Sequence, residues 1–205
     1  MSNKFFEKRI PHNGMTYKEF TEKVIEEIEN TTPEALNEHD LEMFEYKKLN
    51  LQRSGRIEKS YEVSIELRKE IESIKEKQIW MVITEAWCGD SAQNLPSIAK
   101  MAAINSNIEL RIILRDSHLD IIDLYLTNGT RSIPKLVAFD ESGNKLFSWG
   151  PRPKAAQELL QQWKSEGIVK PEIYEKLHLW YGRNRGREIE SEFIKIFSTI
   201  DQEQE

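Results

Sequence analysis

The sequence predicts an α/β core built as three layers around a central mixed sheet, with helical extensions at both ends. Three observations predict it. Between residues 79 and 165 the pattern runs strand, helix, strand, helix, strand, strand, helix, the order of a sheet covered by helices. Ahead of it, as far as residue 77, apolar residues recur at helical spacing in a background rich in glutamate and lysine. The single cysteine, Cys88, stands where an apolar run gives way to a helix start. The expected division is a helical extension over 1–77, the core over 78–166 and a second helical extension over 167–205.

Residues 1–13 read as an irregular arm that Phe5, Phe6 and Ile10 pin to the body. A helix begins after Thr16, with Tyr17, Phe20, Val24 and Ile28 on one face. Thr16 and Glu19 have the spacing of a capping box, in which each side chain satisfies the other residue's free N–H. Asn30, Thr31, Thr32 and Pro33 stop this helix. A second is expected near 38–53, with Leu41, Phe44 and Leu51 partly inward and Ser54-Gly55 as the place where it breaks or bends. A third, near 58–77, carries the stripe Tyr61, Ser64, Leu67, Ile71 and Ile74.

The core starts with 79–84, I-W-M-V-I-T, a short, β-branched, mostly apolar run that reads as a buried strand. Residues 91–103 read as a helix that Pro96 should bend or divide, since proline lacks the N–H the helix needs. Residues 108–114 form the second strand, and a right-handed crossover sets it parallel to the first and beside or near it. Asp116 is the expected cap of a helix over 118–126 whose buried part is Ile121, Ile122, Leu124 and Tyr125. Residues 136–139 and 145–149 flank the turn signal D-E-S-G and read as an antiparallel hairpin. Pro153 suits the first turn of a helix bearing Ala156, Leu159, Leu160 and Trp163. Beyond Gly167 come a short helix near 171–179, a basic loop Y-G-R-N-R-G-R, a last helix over 188–200 and a tail expected to fray.

Composition narrows the function. With 29 basic and 35 acidic residues the formal charge is −6, which argues against general nucleic-acid binding. One cysteine excludes a disulfide within the chain, and no cysteine cluster is present for zinc or iron–sulfur. His12, His39, His118 and His178 form no close pair, so no metal is expected. There is no G-x-S-x-G elbow to support a serine hydrolase and no glycine-rich phosphate loop, and no cofactor is expected. No apolar run approaches a membrane span, and M-S-N-K-F-F-E-K does not read as a secretory signal. The expected location is the cytoplasm; the oligomeric state is left open.

Chemistry is expected at Cys88. At a helix start the backbone N–H groups are unpaired and the dipole favours negative charge, so a thiol there should ionise more readily than a free one. The alternative is a small, half-buried apolar residue. Trp87 offers a flat face to a partner, and Glu85 reads as an ordinary strand-end acid. Arg131 could favour a thiolate, hold a carboxylate or close a loop salt bridge, and Lys135 is a weaker version of the same. Arg183, Arg185 and Arg187, with His178 and Tyr181, form a basic cluster that could bind an anionic ligand or an acidic partner surface; the preferred expectation is that it ties the C-terminal helix to the acidic N-terminal helices.

The order of elements and the motif Trp87-Cys88-Gly89 resemble the thioredoxin superfamily over about residues 78–165. Cys88 falls at that family's nucleophilic cysteine. Arg131-Ser132-Ile133-Pro134 resembles its cis-proline loop, and Pro96, Gly143 and Gly150 fit its bent helix, hairpin turn and closing glycine. The resemblance implies a cis Ile133–Pro134 bond beside the nucleophile, in a loop that aligns an extended substrate. Three departures matter. The second cysteine of the family's dithiol is Ser91, which cannot expel a substrate from a mixed disulfide. The family's buried proton-handling acid aligns with Val82. The intervening proline is Asp90, which opposes ionisation of Cys88 if close, or else caps the helix or accepts the thiol proton.

The resemblance therefore implies a monothiol thioredoxin-like protein, a thiol-disulfide oxidoreductase acting through Cys88 with an external resolving thiol. Ser91 would steady the thiolate. Trp87, Asp90, Arg131, Ile133 and Pro134 would contact substrate, and the partners would be protein or low-molecular-weight thiols and disulfides. The alternative is a non-catalytic binding or adaptor module on the same fold.

Overall fold

The computed structural model describes residues 4–204, with side chains to residue 200. The first three residues of the expected arm, and the side chains of the tail expected to fray, lie outside the described set. The arm is more ordered than expected. It opens with a helical turn, α1 (Lys4–Glu7), whose Phe5 and Phe6 are buried against Phe139. Met15 then exchanges two backbone hydrogen bonds with Ile112, at 2.8 and 2.7 Å, which covers the outer edge of the sheet.

Helix α2 (Tyr17–Glu29) starts with the capping box: Glu19 N–H donates to Thr16 Oγ1 at 3.2 Å and Thr16 N–H to Glu19 Oε2 at 2.7 Å. Helix α3 (Glu38–Ser60) runs through Ser54 and Gly55 unbroken. A helical glycine costs only about 1 kcal/mol, and Ser54 ties the helix to its neighbour by donating to Ala92 O at 3.3 Å. Phe44 is buried as expected, whereas Leu41 is exposed and Asn50 is buried in its stead. Helix α4 (Ile65–Ser73), capped by Ser64, stops before residue 77. The side-chain amides of Asn105 and Asn107 take the carbonyls of Ile71, Ile74 and Lys75, so the chain can leave the helix and enter the sheet.

The core follows as β1 (Gln78–Thr84), α5 (Gly89–Ala102), β2 (Ile108–Leu114), α6 (Leu119–Ile122), β3 (Lys135–Asp140) and β4 (Lys145–Trp149). The sheet order is β2-β1-β3-β4, with β1 parallel to β2 and the other pairs antiparallel. Alternation on β1 splits the core. Trp80 and Val82 face Leu95, Ile98 and Met101 of α5, while Met81 and Ile83 face the arm, Ile121 and Ile122. Helix α5 passes Pro96 without a break. Helix α6 is a single turn, much shorter than 118–126, because Leu124 is exposed and gives no apolar stripe to extend it. Its N-cap is His118, not Asp116, whose carboxylate pairs with Arg115 instead.

The C-terminal part differs most from expectation. After α7 (Lys154–Ser165) comes a 15-residue α8 (Lys170–Asn184), then α9 (Arg187–Gln204). The basic "loop" is thus almost all helix. Arg185, with left-handed φ of 54°, and Gly186 make the break. Helix α8 is sustained by packing Ile173, Leu177 and Tyr181 on Ala156 and Leu160 of α7. Helix α9 lays Phe193 and Phe197 on Trp80 and Phe147, filling the α5 side of the sheet. Among the described residues Arg183, Arg185 and Arg187 form no ion pair, and Arg187 donates to the carbonyls of Asn184 and Arg183. The expected tie is made by an acid instead: Glu190 accepts from Tyr61 OH at 2.8 Å and Ser64 N–H at 2.9 Å. Among the described residues no helix is long and apolar enough to cross a membrane.

Candidate functional site

The end of β1, the start of α5 and the loop before β3 converge on Cys88. Cys88 is the N-cap of α5, and its thiol donates to Ile133 O at 3.3 Å. The Ile133–Pro134 bond is cis, as is Gly150–Pro151. Pro134 O is pressed so closely on Gly150, itself at φ +111°, that a Cβ on Gly150 would stand 2.2 Å away. Gly150→Ala is therefore expected to displace the Pro134 loop and cost about 3 kcal/mol or more. A urea melt would measure the loss.

Burial pushes the Cys88 thiol up to about 11, the Asp90 carboxylate pushes the same way, and bonds from Ser91 and the Asp90 and Ser91 N–H groups offset only part. The direction is opposite to that expected from the helix start alone. The helix start does act as argued, but Cys88 is 8% exposed and losing solvent costs the thiolate more than the N–H groups return. Ser91 lies behind Cys88, and its Oγ accepts from Thr84 Oγ1 at 2.5 Å.

Asp90 is the most heavily bonded group of the site. Arg152 pairs with it through Nε at 3.0 Å and through Nη2, and Tyr181 OH donates to its other oxygen at 2.6 Å. Asn94 Nδ2 then donates to Tyr181 OH at 3.0 Å. Asp90 neither caps α5 nor stands free to take a proton from Cys88. Burial and the Asp90 charge hold the Tyr181 phenol well above its usual 10, so it stays a donor. His178 packs against the helix start: a Cβ on Gly89 would meet its Cε1 at 2.9 Å, and Gln93 bonds its Nδ1 at 3.2 Å.

A cleft of about 660 Å³ opens in front of these groups. Trp87, Cys88, Asp90, Arg131 and Ile133 all border it, whereas Ser91 and Pro134 sit behind its wall. Arg115 covers the Trp87 ring with its guanidinium 4.8 Å from the centroid. Arg131 is exposed and bound to Asp123 by two bonds of 2.7 Å, the loop salt bridge among its alternatives. Lys135 donates to Thr127 Oγ1 at 3.2 Å, and burial lowers its pKa. Glu85 accepts Asp116 N–H at 2.8 Å, and burial raises it.

Sequence reasoning did not reach Arg152, Arg53 or Asn50. Asn50 donates to Ala86 O at 3.0 Å and so fixes the turn before Cys88. One signal was available: Gln93, Asn94 and Ser97 put a polar face on α5, and all three are buried, which requires polar covering elements.

A family model described as thioredoxin matches residues 37–164, more than half of the chain. The chain belongs to the thioredoxin family. The match begins ahead of the sheet, at the residue that caps α3, so this family's share of the chain includes the helix lying along α5. An HIV epitope-scaffold structure superposes with a TM-score of 0.61 at 19% identity, covering 94% of this chain and 97% of its own. A Pseudomonas aeruginosa protein of unknown function gives 0.56 at 21% identity, covering 74% and 85%. At such identities the likeness shows the fold alone. No curated protein matches the chain. Within the thioredoxin fold, Val82 is fully buried among apolar neighbours of α5.

Proposed function

We propose that this thioredoxin-family chain is a binding module whose Cys88 cleft holds a partner while the thiol stays protonated. The observation that carries this reading is the state of Cys88, buried, bonded to Ile133 O and pushed up to about 11. A nucleophilic thiol needs the opposite environment. Trp87 and Ile133, which border the cleft, supply the contact surface, with Pro134 behind them. The extensions 1–77 and 167–205 serve as covers for the core 78–166, since α3 and α8 both wall the cleft. The cytoplasmic setting belongs to the same proposal.

A second reading is monothiol exchange from the C-G-D-S segment, favoured by the opening of the cleft onto Cys88 and by Ser91 at hydrogen-bonding reach of it. Deprotonated Cys88 would attack a disulfide, one partner sulfur would leave as thiolate, and an outside thiol would then free Cys88. Alkylation of Cys88 against pH, with a denatured control, separates the two. The binding module gives a midpoint near 11 in the folded chain and about 8.5 in the denatured one. A folded midpoint below the denatured one would sink the binding module and install exchange. Replacing Cys88 by serine should leave partner binding intact.

A further inference from the structure

The chain carries a formal charge of −6, yet the Cys88 cleft is bordered by five cations and two carboxylates. Three of the cations already have acids: Arg115 with Asp116, Arg131 with Asp123 and Arg152 with Asp90. Lys170 sits over the Tyr174 ring at 5.6 Å. Arg53 is different. It is half-buried, gives one hydrogen bond, to Asn50 Oδ1 at 3.0 Å, and among the described residues forms no ion pair. The charge nearest in effect is another cation, Arg56, which together with burial lowers its pKa. A half-buried cation with a like charge three residues along the same helix is held at a cost that a bound anion would remove.

Its position gives the charge a use. Arg53 Nη1 lies 3.8 Å from where a Cβ on Gly89 would stand, outside the nearer His178 ring, so the guanidinium stands close to the first residue of α5. Trp87 and Leu177 are apolar residues that border the same cleft. The volume of about 660 Å³ suits a small molecule better than a flat protein surface. A planar guanidinium matches a carboxylate or phosphate through two parallel bonds.

We propose that the Cys88 cleft receives a small organic anion whose carboxylate or phosphate is held by Arg53 at the start of α5, with its body against Trp87 and Leu177. This rests on the binding-module reading and names its ligand class. The test is titration of the full chain with succinate and, separately, with inorganic phosphate, following the amide signals of Gly89 and Asp90 by NMR. Saturable shifts with succinate assign a carboxylate, and with phosphate a phosphoryl group. Arg53→Gln should weaken the binding about tenfold, the loss of one charge-assisted contact. Arg53→Lys should restore part of it, and Lys18→Gln, remote on α2, should change nothing. No saturable shift with either probe, or equal affinity in a folded Arg53→Gln protein, would overturn the proposal. The two readings fail separately: a low alkylation midpoint removes the thiol-protonated module and leaves the anion site, while absent shifts remove the anion site alone.

Discussion

Replacing Arg152 by methionine is expected to cost about 3–5 kcal/mol of folding stability, read as a lower urea midpoint with an unchanged slope. The Asp90 carboxylate is 9% exposed, and Arg152 is the cation that pairs with it. Removing the guanidinium leaves a buried negative charge with Tyr181 OH as its remaining side-chain donor. Retention of that bond places the loss toward the lower end. The same change should raise the Cys88 alkylation midpoint above about 11, because the Asp90 charge, already the second cause of the upward shift, loses its counter-ion. A variant as stable as the wild type would mean that water reaches Asp90 and replaces the guanidinium. Asp90→Asn with Arg152→Met together should recover part of the loss, since neither buried charge is then left alone.

Acid should destabilise the protein through His178. Burial lowers its pKa to about 4, with Arg53 and Arg56 adding to the shift and Asp90 opposing it. A base whose folded pKa lies below its unfolded value of about 6.5 takes up protons preferentially in the unfolded chain. Its contribution is therefore complete above pH 6.5 and is lost as pH falls through the window to about 4. The full shift corresponds to about 3 kcal/mol, and screening at a partly exposed ring reduces this to about 2 kcal/mol. His178→Gln keeps a side-chain amide opposite Gln93 and lacks the titration. Urea melts at pH 7 and pH 4.5 should show the variant gaining on the wild type at the lower pH. A constant difference between the two would show that His178 does not titrate in this window.

Both expectations arise from contacts between distant parts of the chain, and this is where the sequence stopped being legible. Local chemistry was readable where one short stretch contains the whole interaction. The capping box needs only Thr16 and Glu19. The hairpin needs two strands and the turn at Gly143. The strand 79–84 shows its burial in its own residues, and the position of Cys88 between that strand and a helix follows from six or seven letters. The departures at Val82, Asp90 and Ser91 were readable too, because they are single positions in a known order. The lengths of α3, α6 and α8 were not. Helix propensity is weak beside packing, so Ser54-Gly55 passed as helix once α5 lay alongside, and Gly182 passed as helix once Tyr181 was buried.

The sequence by itself determined the layered α/β core, the placing of one cysteine at a helix start and the lack of a second thiol to resolve its disulfide. Those properties are carried by neighbouring residues and by composition. Tertiary structure alone decided what that cysteine is like. Ionisation depends on how much solvent is removed and on which charges stand within a few ångströms, and both are set by residues 45 to 64 positions away, Ile133 O against the thiol and Arg152 against Asp90. The same helix start that would favour a thiolate in water is outweighed here by burial, which pushes the thiol up to about 11.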